Sequence, residues 1–326
     1  MDTVRVKNIG LRGVTVADTK ISFIDGEQGI LLYRGYRIEQ LAERSSFLET
    51  AWLLLNDALP DKEELGSFST QIEEARTLPD FVLESLRRLP EDAVPMDVLQ
   101  ASVPLLAMCD PELADETREG NFRKAARLIA RIPVVVASWH RIRKGLDPLP
   151  HDSSLSHAGN FLLQLHGAKP EPEIARDLDI CLVLHADHTF NASTFACREV
   201  VSTRAHMYAG VAAGVGALSG SLHGGANARV MKMLSELQSE KDVRGWVRKE
   251  LAEGRKIMGM GHAIYKTNDP RALILKEMSR RLGEKLGQKK WYELSVQIEQ
   301  AALEEFEKSG KKTIKPNCDF FSASVY

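Results

Sequence analysis

The sequence predicts a mainly α-helical protein of two domains, helix packed on helix, with one small β-hairpin near the N-terminus. Three observations predict it. Apolar residues recur with helical period over most of the chain, only one early stretch reads as strand, and 326 residues exceed what a single core usually organises. A hydrophobic fraction of 44% with 27% charged residues provides for a sizeable core and argues against disorder. A net charge of −2 points away from a nucleic-acid surface and from a polybasic membrane patch.

The elements follow in order. "MDTVRVKNIG" lacks the apolar run of a signal peptide and no window approaches a membrane span, so a cytoplasmic protein is expected. In "ISFIDGEQGILLYRG" two apolar runs flank Asp25 and Gly26, the pattern of a hairpin. Ser46 with Glu49 makes a capping box for "SFLETAWLLLNDALP", and Pro60 lies beyond the helix end. Asp61 and Glu64 repeat the device for "KEELGSFSTQIEEAR", whose Leu65, Phe68, Ile72 and Ala75 share one face. Pro133 interrupts the apolar run of "NFRKAARLIARIPVVVASWHRIRKG", which predicts either a kinked helix or two abutting ones, ended by Gly145. The run from Ile180 to Leu184 suits a buried helix and leaves a core strand open. Small residues at Gly210, Gly214 and Ala217 would let helices approach closely, and "SEKDVRGWVRKELAEGRK" reads as a solvated helical face. No repeat or low-complexity linker separates the two domains, so they are expected to pack closely.

Several chemistries can be set aside. Cys109, Cys181, Cys197 and Cys318 are scattered without a Cys-x-x-Cys and read as buried or free thiols. Gly214, Gly216 and Gly220 miss the dinucleotide fingerprint by one residue, and no P-loop is present. Histidine is more informative. Of nine, His140, His151, His157, His166 and His206 sit in ordinary contexts, whereas His185, His188, His223 and His262 do not. His185 and His188 in "LHADH" stand three apart and could share a helix face; core packing, anion binding and half of a zinc site stay open, with no third ligand evident. In "SLHGGANARV" the glycines after His223 clear space beside an imidazole, where a ligand can approach the main chain. "GMGHAIYKTNDPRA" sets His262 behind Gly259 and Gly261 with Lys266 and Arg271 close by. That pattern suits an anion bearing phosphates or carboxylates, or a glycine-rich turn before a capped helix. Asp319 in "KPNCDFFSASVY" is either a turn or cap residue, or a carboxylate whose lodging raises its pKa enough for it to serve as a base.

In that order and spacing, "LHADHTFNASTFA", "SLHGGAN", "GMGHAIYKTNDPRA" and "PNCDFFSASVY" resemble the four signature blocks of the citrate synthases and their relatives the 2-methylcitrate synthases. "ISFIDGEQGILLYRGYRIEQLAERSSFLETAWLLL" resembles the family's N-terminal block, so the likeness covers essentially the whole chain. It implies an all-helical homodimer with a large domain over 1–222 and a small one over 223–326 that closes on oxaloacetate. It also implies a reaction: acetyl-CoA, oxaloacetate and water give citrate and CoA, with oxaloacetate binding first and building the CoA site. By resemblance Asp319 is the base, His223 hydrogen-bonds the thioester carbonyl as a neutral imidazole, and His262 polarises and protonates the oxaloacetate carbonyl. His188 and Arg271 hold oxaloacetate. The main chain of Lys256, Ile257, Met258, Gly259 and Met260 meets the CoA adenine, with Lys266 near a CoA phosphate. No metal or redox cofactor is implied, because the CoA thioester is a substrate.

The sequence departs from the family at Ser221, where proline is common, and at Ala263, where many bacterial relatives carry arginine. The family also continues for several tens of residues past the position of Tyr326, with two further arginines for the substrate carboxylates. A break inside an apolar helix is therefore expected there, and a longer protein represented in part is the favoured reading. Three alternatives remain: propionyl-CoA as the thioester, a non-catalytic oligomeric homologue, and a zinc hydrolase centred on His185 and His188.

Overall fold

The computed structural model describes residues 16–221 and 223–326. The sequence reading of residues 1–10, and Leu222 at the expected domain boundary, lie outside the described residues.

Strands β1 (Ser22–Asp25) and β2 (Ile30–Tyr33) pair antiparallel, Ser22 opposite Tyr33 and Asp25 opposite Ile30. The Asp25 carboxylate closes the turn by accepting the backbone N–H groups of Glu27 and Gln28. Alternation buries Leu31 and Tyr33 and leaves Phe23 exposed. A third strand, β3 (Tyr36–Arg37), returns along β2, so the expected hairpin is a three-stranded sheet; two residues are too few to show alternation in sequence. Helices α1 (Ile38–Arg44), α2 (Phe47–Asn56) and α3 (Lys62–Ala75) follow. Both expected capping boxes form, Ser46 with Glu49 and Asp61 with Glu64. On α3, Phe68 and Ile72 are fully buried.

After α4 (Asp80–Arg87) and α5 (Pro95–Met108), α6 (Arg118–Ile142) runs unbroken through Pro133, so that segment is one helix rather than two. Gly145, at φ 69°, lies in the turn that follows it. Next come α7 (His157–His166), α8 (Pro172–Leu184), α9 (Ala192–Ser202) and α10 (Met207–Ser219). The run around Ile180 is thus helix, not strand. α9 and α10 pack closely at Gly210, where a Cβ would stand 2.6 Å from a methyl of Val201. The chain continues through α11 (Ala226–Leu237), α12 (Val243–Ala252), α13 (Pro270–Lys285), α14 (Lys289–Lys308) and α15 (Cys318–Ser322).

Three apolar clusters hold these elements. The largest joins Leu31 and Tyr33 of the sheet and Leu184 of α8 to Val230, Ile298 and Phe320 of the C-terminal helices. A second unites α4, α5, α6 and α10 around Val82, Leu106, Val135 and Tyr208. A third packs α2, α3 and α6 through Phe68, Ile72 and Ala130, with Trp52 edge-on to Phe68 and Phe122. The first cluster matters most for function, because it seats the sheet and the end of α8 against α13 and α15. An apolar cavity of about 520 Å³ between α2, α6, α7, α8 and α10 shares no lining residue with the histidine cluster described next. Among the described residues no helix is long and apolar enough to cross a membrane.

Candidate active site

Four chain segments converge on the site, each held by polar contacts from a distant element. The first is the turn after α8. The helix ends at Leu184 with His185 as its cap, so His185 and His188 do not share a helix face as the spacing allowed. The turn is captured by the sheet instead. The Tyr33 hydroxyl donates to the carbonyl of Asp187 (2.8 Å), and Ser22 Oγ donates to the Asp187 carboxylate. That carboxylate also accepts the backbone N–H of Thr189 (3.1 Å), which sits at φ 55°. Helix geometry is given up there, and His188 is turned toward the α12–α13 loop.

That loop is the second segment. Met260 bridges Pro316 in antiparallel fashion, Gly261 N–H donates to Lys315 O (2.8 Å), and Asn317 N–H donates to Gly259 O (2.9 Å). Gly259 is at φ 76°, and a Cβ there would stand 2.9 Å from the Cα of Phe320. Only glycine satisfies both conditions. Beyond it, the backbone N–H groups of Ile264 and Tyr265 both donate to Nδ1 of His262, at 3.0 and 3.2 Å. A nitrogen that accepts two donors carries no proton, so the neutral ring bears its proton on Nε2. His188 meets His262 edge-on with ring centroids 5.3 Å apart, and Tyr265 touches both rings.

The same loop runs into α13, where Asp269 caps the helix and Arg271 lies in its first turn. The two residues are 1% and 5% exposed. Asp269 accepts from Nε (3.1 Å) and Nη2 (2.8 Å) of Arg271 and from its backbone N–H (3.0 Å). Arg271 Nη1 forms no hydrogen bond among the described residues, leaving one edge of the guanidinium fork for a carboxylate.

The third segment is the turn before α11. His223 N–H donates to Gly220 O (2.9 Å) and Gly224 N–H to Leu218 O (3.0 Å). A Cβ on Gly224 would lie 2.5 Å from that Leu218 oxygen. The glycine after His223 therefore makes room first for its own main chain. The His223 ring is fixed by Ser193 on α9, Oγ to Nε2 at 2.8 Å. The fourth segment is α15. Asn317 caps it by accepting the N–H of Asp319 (3.0 Å), and Asn227 of α11 donates to Ser322 Oγ (2.6 Å), tying the His223 and Asp319 segments together.

Electrostatics differentiates the groups. Burial holds the His262 imidazole below its ordinary pKa of 6.5, with Arg271 adding to the effect against Asp269. Burial, then Arg271 and His262, bring His188 down to about 3. Burial raises the Asp319 carboxyl above its ordinary value, opposed by Arg271 and His223. The site therefore offers neutral imidazoles, one fixed cation and one basic carboxylate. These are the components for enolising a weak carbon acid and polarising a carbonyl.

Of the other expected site residues, Lys256 is exposed, Ile257 is buried in the core, and Met258, Gly259 and Met260 are half-buried along the loop. Lys266 is exposed and pairs with Glu27 of the β1–β2 turn. Ser193, Tyr265, Asp269 and Asn317 were missed by sequence reasoning. Asp269 and Asn317 alone carried a local signal, Asp269 as the residue before Pro-Arg at a helix start and Asn317 as an asparagine after proline at a turn. Among the described residues no group of three or more His, Cys, Asp or Glu side chains is placed to hold a metal ion.

A sequence model described as "Citrate synthase, C-terminal domain" matches residues 10–326. Citrate synthase of Haloferax volcanii is 46% identical over 97% of this chain and 83% of its own length. That of Synechocystis sp. is 43% identical over 97% and 79%. Among solved structures, citrate synthase of Pyrobaculum aerophilum superposes with a TM-score of 0.91 at 36% identity, covering all of this chain and 86% of that one. A ternary complex of carboxymethyl coenzyme A and oxaloacetate with citrate synthase from Thermoplasma acidophilum superposes with a TM-score of 0.89 at 32% identity, over 96% and 82%.

Proposed function

This chain belongs to the citrate synthase family, and from that premise we infer which residues carry its condensation of acetyl-CoA with oxaloacetate and water to citrate and CoA. Asp319 removes a proton from the thioester methyl group. Its raised pKa makes it a better base than an exposed aspartate. With the Ser193 hydroxyl assigned as the donor to Nε2 of His223, 2.8 Å away, Nδ1–H is left to donate to the oxygen that gains charge in the enolate. The enolate carbon attacks the ketone carbon of oxaloacetate, and the Nε2–H of His262 hydrogen-bonds and protonates the oxygen becoming an alkoxide. One proton leaves carbon and one is gained by oxygen, so the condensation balances. Water then cleaves the citryl thioester and releases CoA, which makes the enzyme an acyltransferase that converts acyl to alkyl on transfer. Arg271 and His188 hold the oxaloacetate carboxylates. The main chain of 256–260 takes the adenine, and Lys266 exchanges Glu27 for a CoA phosphate.

The observation that carries this reading is the His262 ring, fixed by two backbone donors as an Nε2–H donor beside His188 and Arg271. The test is CoA release from acetyl-CoA with and without oxaloacetate, with His262→Ala as control and propionyl-CoA in parallel. Release that requires oxaloacetate and collapses in the control upholds the assignment, and the ratio of the two thioesters fixes the preferred one. Release that does not need oxaloacetate overturns it.

The proposed large body spans 1–222 and the small one 223–326, which closes on oxaloacetate to exclude water from the enolate. A homodimer is supported by α9, which buries no residue although Phe195, Val200 and Val201 are apolar. Sedimentation at equilibrium should give twice the 36.3 kDa chain mass. Four free thiols support a reducing, cytoplasmic setting.

A further inference from the structure

Tyr265 is 3% exposed and is in contact with both histidines of the proposed oxaloacetate pocket. Its ring centroid lies 4.7 Å from that of His262 and 5.8 Å from that of His188. Its backbone N–H donates to Nδ1 of His262, and its hydroxyl lies 3.4 Å from Nε2 of His188. A phenol has one O–H, and among the described residues this one meets no other acceptor. We propose that the Tyr265 hydroxyl is a positioning group: by donating to Nε2 of His188 it holds that imidazole in its Nδ1–H form, as a hydrogen-bond donor to the oxaloacetate carboxylate.

This role for Tyr265 rests on the oxaloacetate role inferred above for His188. A neutral imidazole has one donor and one acceptor, and which nitrogen donates is decided by what the other one meets. His188 is neutral, since burial with Arg271 and His262 holds it at about 3. An acceptor aimed at a carboxylate repels it; a donor binds it. Arg271 supplies charge in the pocket, and a tautomer-fixed His188 supplies direction. One residue thus sets both rings in opposite states, His262 with its proton on Nε2 through the main chain and His188 with its proton on Nδ1 through the hydroxyl.

The test reads the tautomer and the kinetics separately. In protein labelled with 15N-histidine and free of substrate, His188 should show a protonated Nδ1 and an unprotonated Nε2. In Tyr265→Phe, which keeps the ring and its packing, the two forms should mix. KM for oxaloacetate should then rise about tenfold, the order of one lost hydrogen bond, with kcat and the KM for acetyl-CoA unchanged. A proton on Nε2 of His188 in the parent protein overturns the proposal, even if the variant does not fold. So does a variant with an unchanged tautomer and unchanged KM, or one in which both KM values rise and kcat falls together. Because the tautomer is read without substrate, loss of the citrate synthase roles assigned above would appear separately, as absence of oxaloacetate-dependent CoA release in the parent protein.

Discussion

At the level of single residues, the proposed roles divide groups that react from groups that hold them. Replacing His223 or His262 by alanine should lower oxaloacetate-dependent CoA release by about two to four orders of magnitude, the usual worth of a positioned acid–base group, with little change in melting temperature. Asp319 adds a pH signature. As the proposed base it would work only when ionised, and burial sets its pKa above the ordinary 3.8. The acid limb of kcat should therefore fall at a pH above that value, and Asp319→Asn should abolish turnover across the profile. The residues proposed to react stand in marked local settings, His223 before two glycines, His262 after one and Asp319 behind Pro316-Asn317, but the roles proposed for them came from the family resemblance and not from those settings. Ser193 and Tyr265 were not, since a serine after a helix cap and a tyrosine in a loop acquire meaning only from the imidazole each meets in space.

Among the elements, local rules were read well and long-range capture was not. Both capping boxes were visible as residue pairs three apart, and Ser46→Ala should cost about 1 kcal/mol in urea unfolding with activity intact. The spacing of His185 and His188 allowed a shared helix face, and the turn that separates them was not legible because Tyr33 and Ser22, which capture it, lie more than a hundred residues away. The glycine pair after His223 was read as room for a ligand, whereas Gly224 first accommodates the Leu218 carbonyl. Gly259 permits a sharper forecast. Gly259→Ala meets both a left-handed backbone and the Phe320 main chain, so it should cost roughly 1–3 kcal/mol or more. It should also reduce turnover by displacing His262 relative to Asp319, a loss that Gly66→Ala, in open space on α3, should not reproduce.

For the molecule as a whole, stability should depend on pH through buried histidines. Burial, with Arg76 for His157 and with Arg271 and His262 for His188, brings both rings to about 3 in the folded protein. Unfolded chains take up those protons near pH 6.5 and the native state does not, so the unfolded state binds more protons between the two values. Stability should be full above about pH 6.5 and decline as pH falls toward 3. Urea midpoints at stepped pH would reveal this; a flat midpoint down to pH 4 would contradict it. Helix content was legible from periodicity, but the sharing of one apolar cluster between the sheet, α8 and the C-terminal helices was not, because periodicity tells which face is buried and not what covers it. That sharing has a temporal side. Glu27 and Lys266, whose contact docks the sheet on the His262 loop, are 239 residues apart in the chain. At ribosomal speeds of about 5–20 residues per second, the hairpin emerges roughly 12 to 50 s before its partner exists. During that interval the face of the hairpin that receives Lys266 has no partner, and the proposed oxaloacetate pocket can form only after the His262 loop has been made.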